Sequence, residues 1–280
     1  MSGDWSRYWR SPLPGLEAMH AHFERHTYHR HSHETYSFGI TDDGRQAFTC
    51  RGAGHTSTAG MVLAFNPDDP HDGRAADELG FTYRIVHIGP ELVSATLAEV
   101  AGRAVGLPLF AEPVVHDPAL AGGLGRLHSA LLGGAPALVA DELLDAVIPA
   151  LVRRAALGGP VERGPRFRAG SRGAAGLAGR VAELLEDDYR TDHTADSLAA
   201  LSGSSRFTLY RAFQAAYGMA PSEYQRQVRL RAARGLLSRG LPIADVAAET
   251  GFADQSHLTR WFARCYGITP GVYRRAARRG

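Results

Sequence analysis

Histidine is unevenly spread along this 280-residue chain. Nine of its 13 histidines, His20, His22, His26, His29, His31, His33, His55, His71 and His87, precede residue 90. Neutral imidazole ligates zinc, iron or nickel, and residues i and i+2 of a strand point the same way, so His31-Ser-His33 with His71 has the makings of a metal site. A catalytic site of that kind would add a carboxylate a few residues after the pair. Here Glu34 follows His33 directly and points to the opposite face, so the expectation is no bound metal, no cofactor and no catalytic residue. Alternation instead suggests a pocket in which His31, His33, Tyr36, His71, Tyr83 and His87 hydrogen-bond and stack against a small ligand such as a polyol or an aromatic acid. Tyr36 and Tyr83 serve equally well as core residues.

A second concentration of chemistry lies at the other end. Sliding the last hundred residues by 49 positions superposes ten identical residues: Asp196 on Asp245, Ala199 on Ala248, Leu209 on Leu258, Arg211 on Arg260, Phe213 on Phe262, Tyr217 on Tyr266, Gly218 on Gly267, Pro221 on Pro270, Tyr224 on Tyr273 and Arg226 on Arg275. Each copy reads as a short helix, a turn near Gly203 or Gly251, and a second helix capped by Ser205 or Asp254 and stopped by Gly218 or Gly267. That is a helix-turn-helix, present twice. Leu209 with Phe213, and Leu258 with Phe262, take the core face at i, i+4 spacing. Arg206, Phe207, Tyr210 and Arg211 of copy one, and Gln255, Ser256, Thr259 and Arg260 of copy two, are left outside. Arg pairs bidentately with guanine, Gln with adenine, and Thr or an aromatic ring touches the thymine methyl, so these eight are the expected base contacts. An Arg-bearing face is otherwise an ordinary solvated surface; the duplication and the local charge favour the reading role.

The elements that must position these groups follow from periodicity. Between residues 34 and 90 the chain reads as short strands: TYSFGIT with Tyr36, Phe38 and Ile40 on one face, a hairpin-type turn at Asp42–Arg45, then QAFTC, MVLAF and FTYRIVHI. Strands in series imply a small barrel or sandwich. The aromatic arm with Trp5, Tyr8 and Trp9 is a lid, a contact for the other half, or a disordered terminus. After Pro90 the period becomes helical. In ALVADELLDAVIPALVRRAAL, Leu138, Leu143, Leu144, Val147, Ile148, Leu151 and Val152 form a stripe that either packs on its own barrel or makes a homodimer seam, and Pro149 should bend or break the helix. Residues 158–176 are rich in Gly, Arg and Pro and read as a linker. The segment 221–239 opens with Pro221, ends before Gly240, and as one helix spans about 28 Å. Successive major grooves lie roughly 34 Å apart, so two reading helices either bend the duplex or engage unequally. The fold class is two-domain α+β: a β-barrel with following helices over 1–157 and an all-α domain over 177–280.

The net charge of +2 conceals a division. Residues 1–160 carry 12 Arg against 18 acids, or −6, and residues 161–280 carry 19 Arg against 11 acids, or +8. From Ala195 onward there are 13 Arg and 5 acids, so the whole excess sits in the duplicated unit, which should meet a polyanion while the acidic half stays off it. All 31 basic residues are Arg, which, with 32 Gly, fits a GC-rich genome. Cys50 and Cys265 lie in opposite halves, excluding a disulfide framework or a Cys-rich zinc site. The N-terminus lacks a signal-peptide core, and Asp141, Glu142 and Asp145 interrupt the most apolar later stretch. The expectation is a cytoplasmic protein with no membrane partner.

DVAAETGFADQSHLTRWFARCYGITPGVYR resembles the second helix-turn-helix of the AraC family of bacterial transcription regulators, and SLAALSGSSRFTLYRAFQAAYGMAPSEYQ resembles the first. The resemblance implies base contacts from Phe207, Tyr210 and Arg211 and from Gln255, Ser256, Thr259 and Arg260, the face already derived. Tyr210 departs from the smaller or polar residue usual there. HRHSHETYSFGITDDGRQAFTCRG, GMVLAFNPDDPH and GFTYRIVHI resemble the family's cupin-like sensor barrel. What this implies is a small-molecule effector, often a sugar, in the barrel; helices after it that dimerise the chain; double-stranded operator DNA as partner; and RNA polymerase as a further partner of an activator. Two other readings stay open. One is a metal-dependent cupin enzyme with a helical appendage, against which the incomplete ligand set stands, and the other is a constitutive DNA binder with a vestigial sensor.

Overall fold

A computed structural model describes residues 3–11, 15–156 and 173–276, which form two compact units, one ending at residue 156 and the other starting at 173. The first unit contains strands β1 (Trp5–Arg10), β2 (Leu16–Phe23), β3 (Tyr28–His31), β4 (Tyr36–Cys50), β5 (Ala53–Thr58), β6 (Val62–Phe65), β7 (His71–Ala75), β8 (Phe81–Ile88) and β9 (Val114–Val115). Neighbours run in the order β1-β2-β8-β4-β6-β9, with β5 and β7 also pairing to β4 and β3 pairing to β7, all antiparallel.

β4 organises this sheet, and it corrects one expectation: the segment Asp42–Arg45 is not a hairpin turn. A bulge between Thr41 and Asp43 bends the strand without reversing it. Up to Gly44 the strand pairs with β8 and β6; from Arg45 to Cys50 it pairs with β5 and β7. Gly44 has φ +71°, and a Cβ there would lie 2.2 Å from the Gly80 carbonyl oxygen, so only glycine fits the bend. The bulge also presents Asp42 to Arg84, whose Nε and Nη2 both donate to its carboxylate.

The aromatic arm is an ordered edge strand. β1 pairs with β2 from Trp5 opposite His22 to Arg10 opposite Glu17, and the Asp4 carboxylate accepts the backbone N–H groups of Glu24 and Arg25.

Strand alternation separates two faces. Tyr36, Phe38 and Ile40 of β4 and Val86 and Ile88 of β8 pack in one core with helices α1 (Pro90–Ala101), α2 (Pro118–Gly133) and α3 (Ala137–Ala155). The helices contribute Val93, Leu120, Leu124, Leu127, Leu144, Val147, Ile148 and Leu151. Burying these side chains is worth roughly 1.5–3 kcal/mol each, which outweighs the hydrogen bond that Pro149 removes, and α3 continues through it to Ala155. Most of the predicted stripe is thus spent within its own unit, whereas Leu138 is 69% exposed.

The second unit is helical: α4 (Ala174–Asp187), α5 (Ala195–Leu201), α6 (Arg206–Tyr217), α7 (Pro221–Ser238), α8 (Ile243–Glu249), α9 (Gln255–Tyr266) and α10 (Pro270–Ala276). Most of the expected linker 158–176 lies outside the described residues, but its last three belong to α4. Gly176 and Gly179 are buried there, small residues that admit the neighbouring helices rather than loosen the chain. α7 touches α4, α6, α8, α9 and α10 and so serves both helix-turn-helix pairs, α5–α6 and α8–α9. From α7 the buried Arg229 donates to the carbonyls of Tyr189, Arg190 and Thr191 and to the Asp192 carboxylate, and Gln225 donates to the carbonyls of Tyr189 and Thr191. The turn of the second pair presses on the same loop, since a Cβ on Gly251 (φ +76°) would lie 2.7 Å from the Arg190 carbonyl oxygen.

Candidate nucleic-acid interface and ligand site

Helices α6 and α9 are built alike. Ser205 accepts the Thr208 N–H to start α6, Asp254 accepts the His257 N–H to start α9, and left-handed Gly218 and Gly267 end them. Leu209 and Phe213, like Leu258 and Phe262, are buried, whereas Arg206, Phe207, Tyr210, Arg211, Gln255, Ser256 and Arg260 are exposed and Thr259 is half-buried. Phe207 and Tyr210 are 68% and 52% exposed, a large apolar area for solvent to carry without a partner. The Arg211 guanidinium lies 5.5 Å from the Phe207 ring centroid, a cation–π contact that limits its wandering. In the second pair the Arg226 guanidinium sits 3.6 Å over the Trp261 ring, and Trp261 donates its indole N–H to His257 Nε2 at 3.0 Å. This fixes one flank of α9 against α7.

In the barrel the structure brings His31, His33, His71 and His87 together. β3 and β7 pair with His31 opposite His71, placing their rings 4.4 Å apart, and the rings of His33 and His87 are 4.6 Å apart. The turn Asn66-Pro-Asp-Asp-Pro delivers His71. Asp69 accepts the Asn66 backbone and side-chain N–H groups and is paired with Arg51 at 2.6 Å, while the Asp68 N–H donates to the His33 carbonyl. The loops bearing His33 and His71 are thereby stitched together. Phe65 stacks on His71 at 4.3 Å with rings 5° from parallel.

A ring nitrogen facing a carbonyl must be the donor. His31 Nδ1–H therefore donates to His29 O at 2.7 Å and His71 Nδ1–H to Asp69 O at 2.8 Å, which places the lone pair of each neutral ring on Nε2. Burial holds His31 well below the ordinary histidine pKa and lowers His71 as well, so both rings are neutral near pH 7. His31 Nε2 lies 3.1 Å from His33 Nε2, and His87 Nδ1 hydrogen-bonds the Ser37 hydroxyl at 2.8 Å.

The two tyrosines part company. Tyr83 is on the His87 face of β8 and its hydroxyl meets that of Tyr28 at 2.6 Å, beside the cluster, with burial raising both phenol pKa values. Tyr36 points the other way, stacks beside Phe38 in the helix-covered core and donates to the Pro108 carbonyl. Its neighbour Ser37 faces His87. Ser37, Tyr28 and Asp69 had no motif to mark them, although the Asn-Pro-Asp-Asp run is legible as a turn.

A barrel with a buried imidazole cluster and two exposed reading helices on a duplicated unit define a ligand-responsive DNA-binding protein. Residues 13–152 match the AraC-like ligand binding domain and residues 198–276 a helix-turn-helix domain. The chain belongs to the AraC family of transcription regulators. YbfI of Bacillus subtilis, an uncharacterized HTH-type transcriptional regulator, is 28% identical over 228 residues, 81% of this chain and 80% of that one. The transcriptional activator NphR of Rhodococcus is 38% identical over 98 residues, 34% of this chain and 29% of its own length. ToxT of Vibrio cholerae shares the fold, with a TM-score of 0.52 over 98% of each chain at 11% identity. Among the described residues no helix is long and apolar enough to cross a membrane.

Proposed function

We propose that α6 and α9 read duplex operator DNA through Arg206, Phe207, Tyr210 and Arg211 and through Gln255, Ser256, Thr259 and Arg260, under the control of a small effector held in the barrel near His31, His33, His71, Tyr83 and His87. The observation that carries this is the matched pair of helices, each with its core face buried and its Arg-bearing face open. Arg211→Ala and Arg260→Ala should each cost roughly 1–3 kcal/mol of specific operator binding, measured by fluorescence anisotropy, with little effect on random DNA. An equal loss on random DNA would mean that they touch phosphate only.

A sugar effector rests on the family resemblance alone; one ToxT structure holds an unsaturated fatty acid. We read the barrel as a holding site rather than a catalytic one, since its relatives carry the names of regulators, and as working in the cytoplasm, where operator DNA is. Homodimerisation belongs to this reading as well. With Leu144, Val147, Ile148 and Leu151 committed to their own core, exposed Leu138 is the part of the α3 stripe left to meet a second copy, with exposed Val139 beside it. Sedimentation of Leu138→Asp tests that seam, and a dimer unchanged by it would place the interface elsewhere. Where the output is activation, RNA polymerase is a further partner.

A further inference from the structure

We propose that His31, His33 and His71 bind a divalent transition-metal ion of the zinc class, and that this ion is part of what the barrel senses. The inference rests on the reading of the barrel as the ligand-holding half and names the chemistry of its ligand. The three side chains come from two strands ends and a loop that a single hydrogen-bonded turn ties together, and their candidate donor atoms all lie within 4.8 Å of one another. Three imidazole nitrogens at 2.0–2.1 Å from a tetrahedral ion stand about 3.3 Å apart, so the 3.1 Å between His31 Nε2 and His33 Nε2 already has the required spacing.

The surroundings match what an imidazole ligand needs. A metal-ligating histidine commonly anchors its other ring nitrogen on a carbonyl or carboxylate, which sets the tautomer and the ring plane. His31 and His71 do this through Nδ1 to the carbonyls of His29 and Asp69. Both are buried and Phe65 backs His71, so solvent competes poorly, while half-buried His33 leaves a way in. The missing carboxylate, which weighed against a metal, bears on a catalytic site more than on a holding one. Neutral imidazole alone suits zinc, copper and nickel, and three protein ligands leave a fourth position for water or a small donor molecule, with His87 alongside.

The test uses the full chain without an affinity tag, stripped with chelator and titrated with Zn²⁺ and, as a spectroscopic probe, Co²⁺. One equivalent per chain is expected, with the visible bands of tetrahedral cobalt and a raised melting temperature. His33→Gln and His71→Gln should each weaken uptake more than about tenfold, whereas His55→Gln should not. His33 lies in a partly exposed loop, so its replacement leaves the fold readable by circular dichroism. Absence of stoichiometric uptake, or uptake indifferent to His33→Gln, overturns the metal site. Binding to operator DNA is measured in parallel with metal-free and metal-loaded protein: failure of both forms with intact metal uptake would sink the regulator reading and leave the site standing, and equal affinity of the two forms would overturn the ion's part in sensing.

Discussion

Tyr36 and Ser37 are consecutive residues with opposite duties, one locking the helix-covered core and the other facing His87. The Tyr36 hydroxyl donates to a buried carbonyl, so Tyr36→Phe should cost about 1–2 kcal/mol in urea unfolding while leaving ligand or metal uptake unchanged. A large fall in uptake would return Tyr36 to the site. Alternation put the right residue types in the right strand, but a period of two does not say which face is inward, and a single step exchanges all of them. Tyr83 and His87 share a face of β8 and were legible together for that reason. His128 makes a separate prediction. It is 3% exposed on α2, donates Nε2–H to the Met19 carbonyl, and burial pushes its pKa down to about 4 from 6.5. The unfolded chain therefore binds the extra proton: stability is flat above about pH 6.5 and falls on acidification through 6.5 toward 4. Of the stability lost between pH 7 and pH 5, roughly 2 kcal/mol should come from His128, so His128→Asn should make the loss smaller by about that amount in urea titrations at the two pH values, the buried His31 and His71 keeping the remainder.

Among the elements, helices announce themselves locally and bulged strands do not. The N-caps Ser205 and Asp254 and the stops Gly218 and Gly267 sit where short-range chemistry puts them, so α6 and α9 were readable to within a residue. Asp-Asp-Gly in β4 carries the composition of a turn, yet its effect is set by the Gly80 carbonyl lying across from Gly44, a contact between residues far apart in the chain. Gly44→Ala should therefore destabilise the barrel by more than about 2 kcal/mol, through both the positive φ and the collision, with the DNA-binding unit melting normally in calorimetry. An unchanged barrel transition would show that the bend tolerates a side chain. The same limit applies to β5 and β7, which are short, polar and defined by pairing with β4 rather than by their own residues.

At the scale of the molecule, charge by halves and the 49-residue repeat divide the sequence into an acidic sheet-rich unit and a basic helix-turn-helix one. The internal frame of the second unit lay beyond reach of the pattern, because Arg229 and Gln225 read as surface polar residues of a long helix. They instead clamp the loop between α4 and α5 onto α7, and Gly251 closes the second turn against that loop. The consequence is that the two reading heads are mounted on a ruler. α7 has 18 residues, about 27 Å at 1.5 Å per residue, and it cannot lengthen to suit the duplex. On the proposal that both α6 and α9 engage the duplex, the operator must supply its two half-sites at one separation and one angular phase. Inserting a single base pair between them turns one by roughly 34°, which should reduce operator affinity more than about tenfold in a gel-shift series, with partial recovery after a full turn only if DNA curvature makes up the distance. Undiminished binding across the series would mean that one head works alone. On that proposal, sites are selected as much by spacing as by bases.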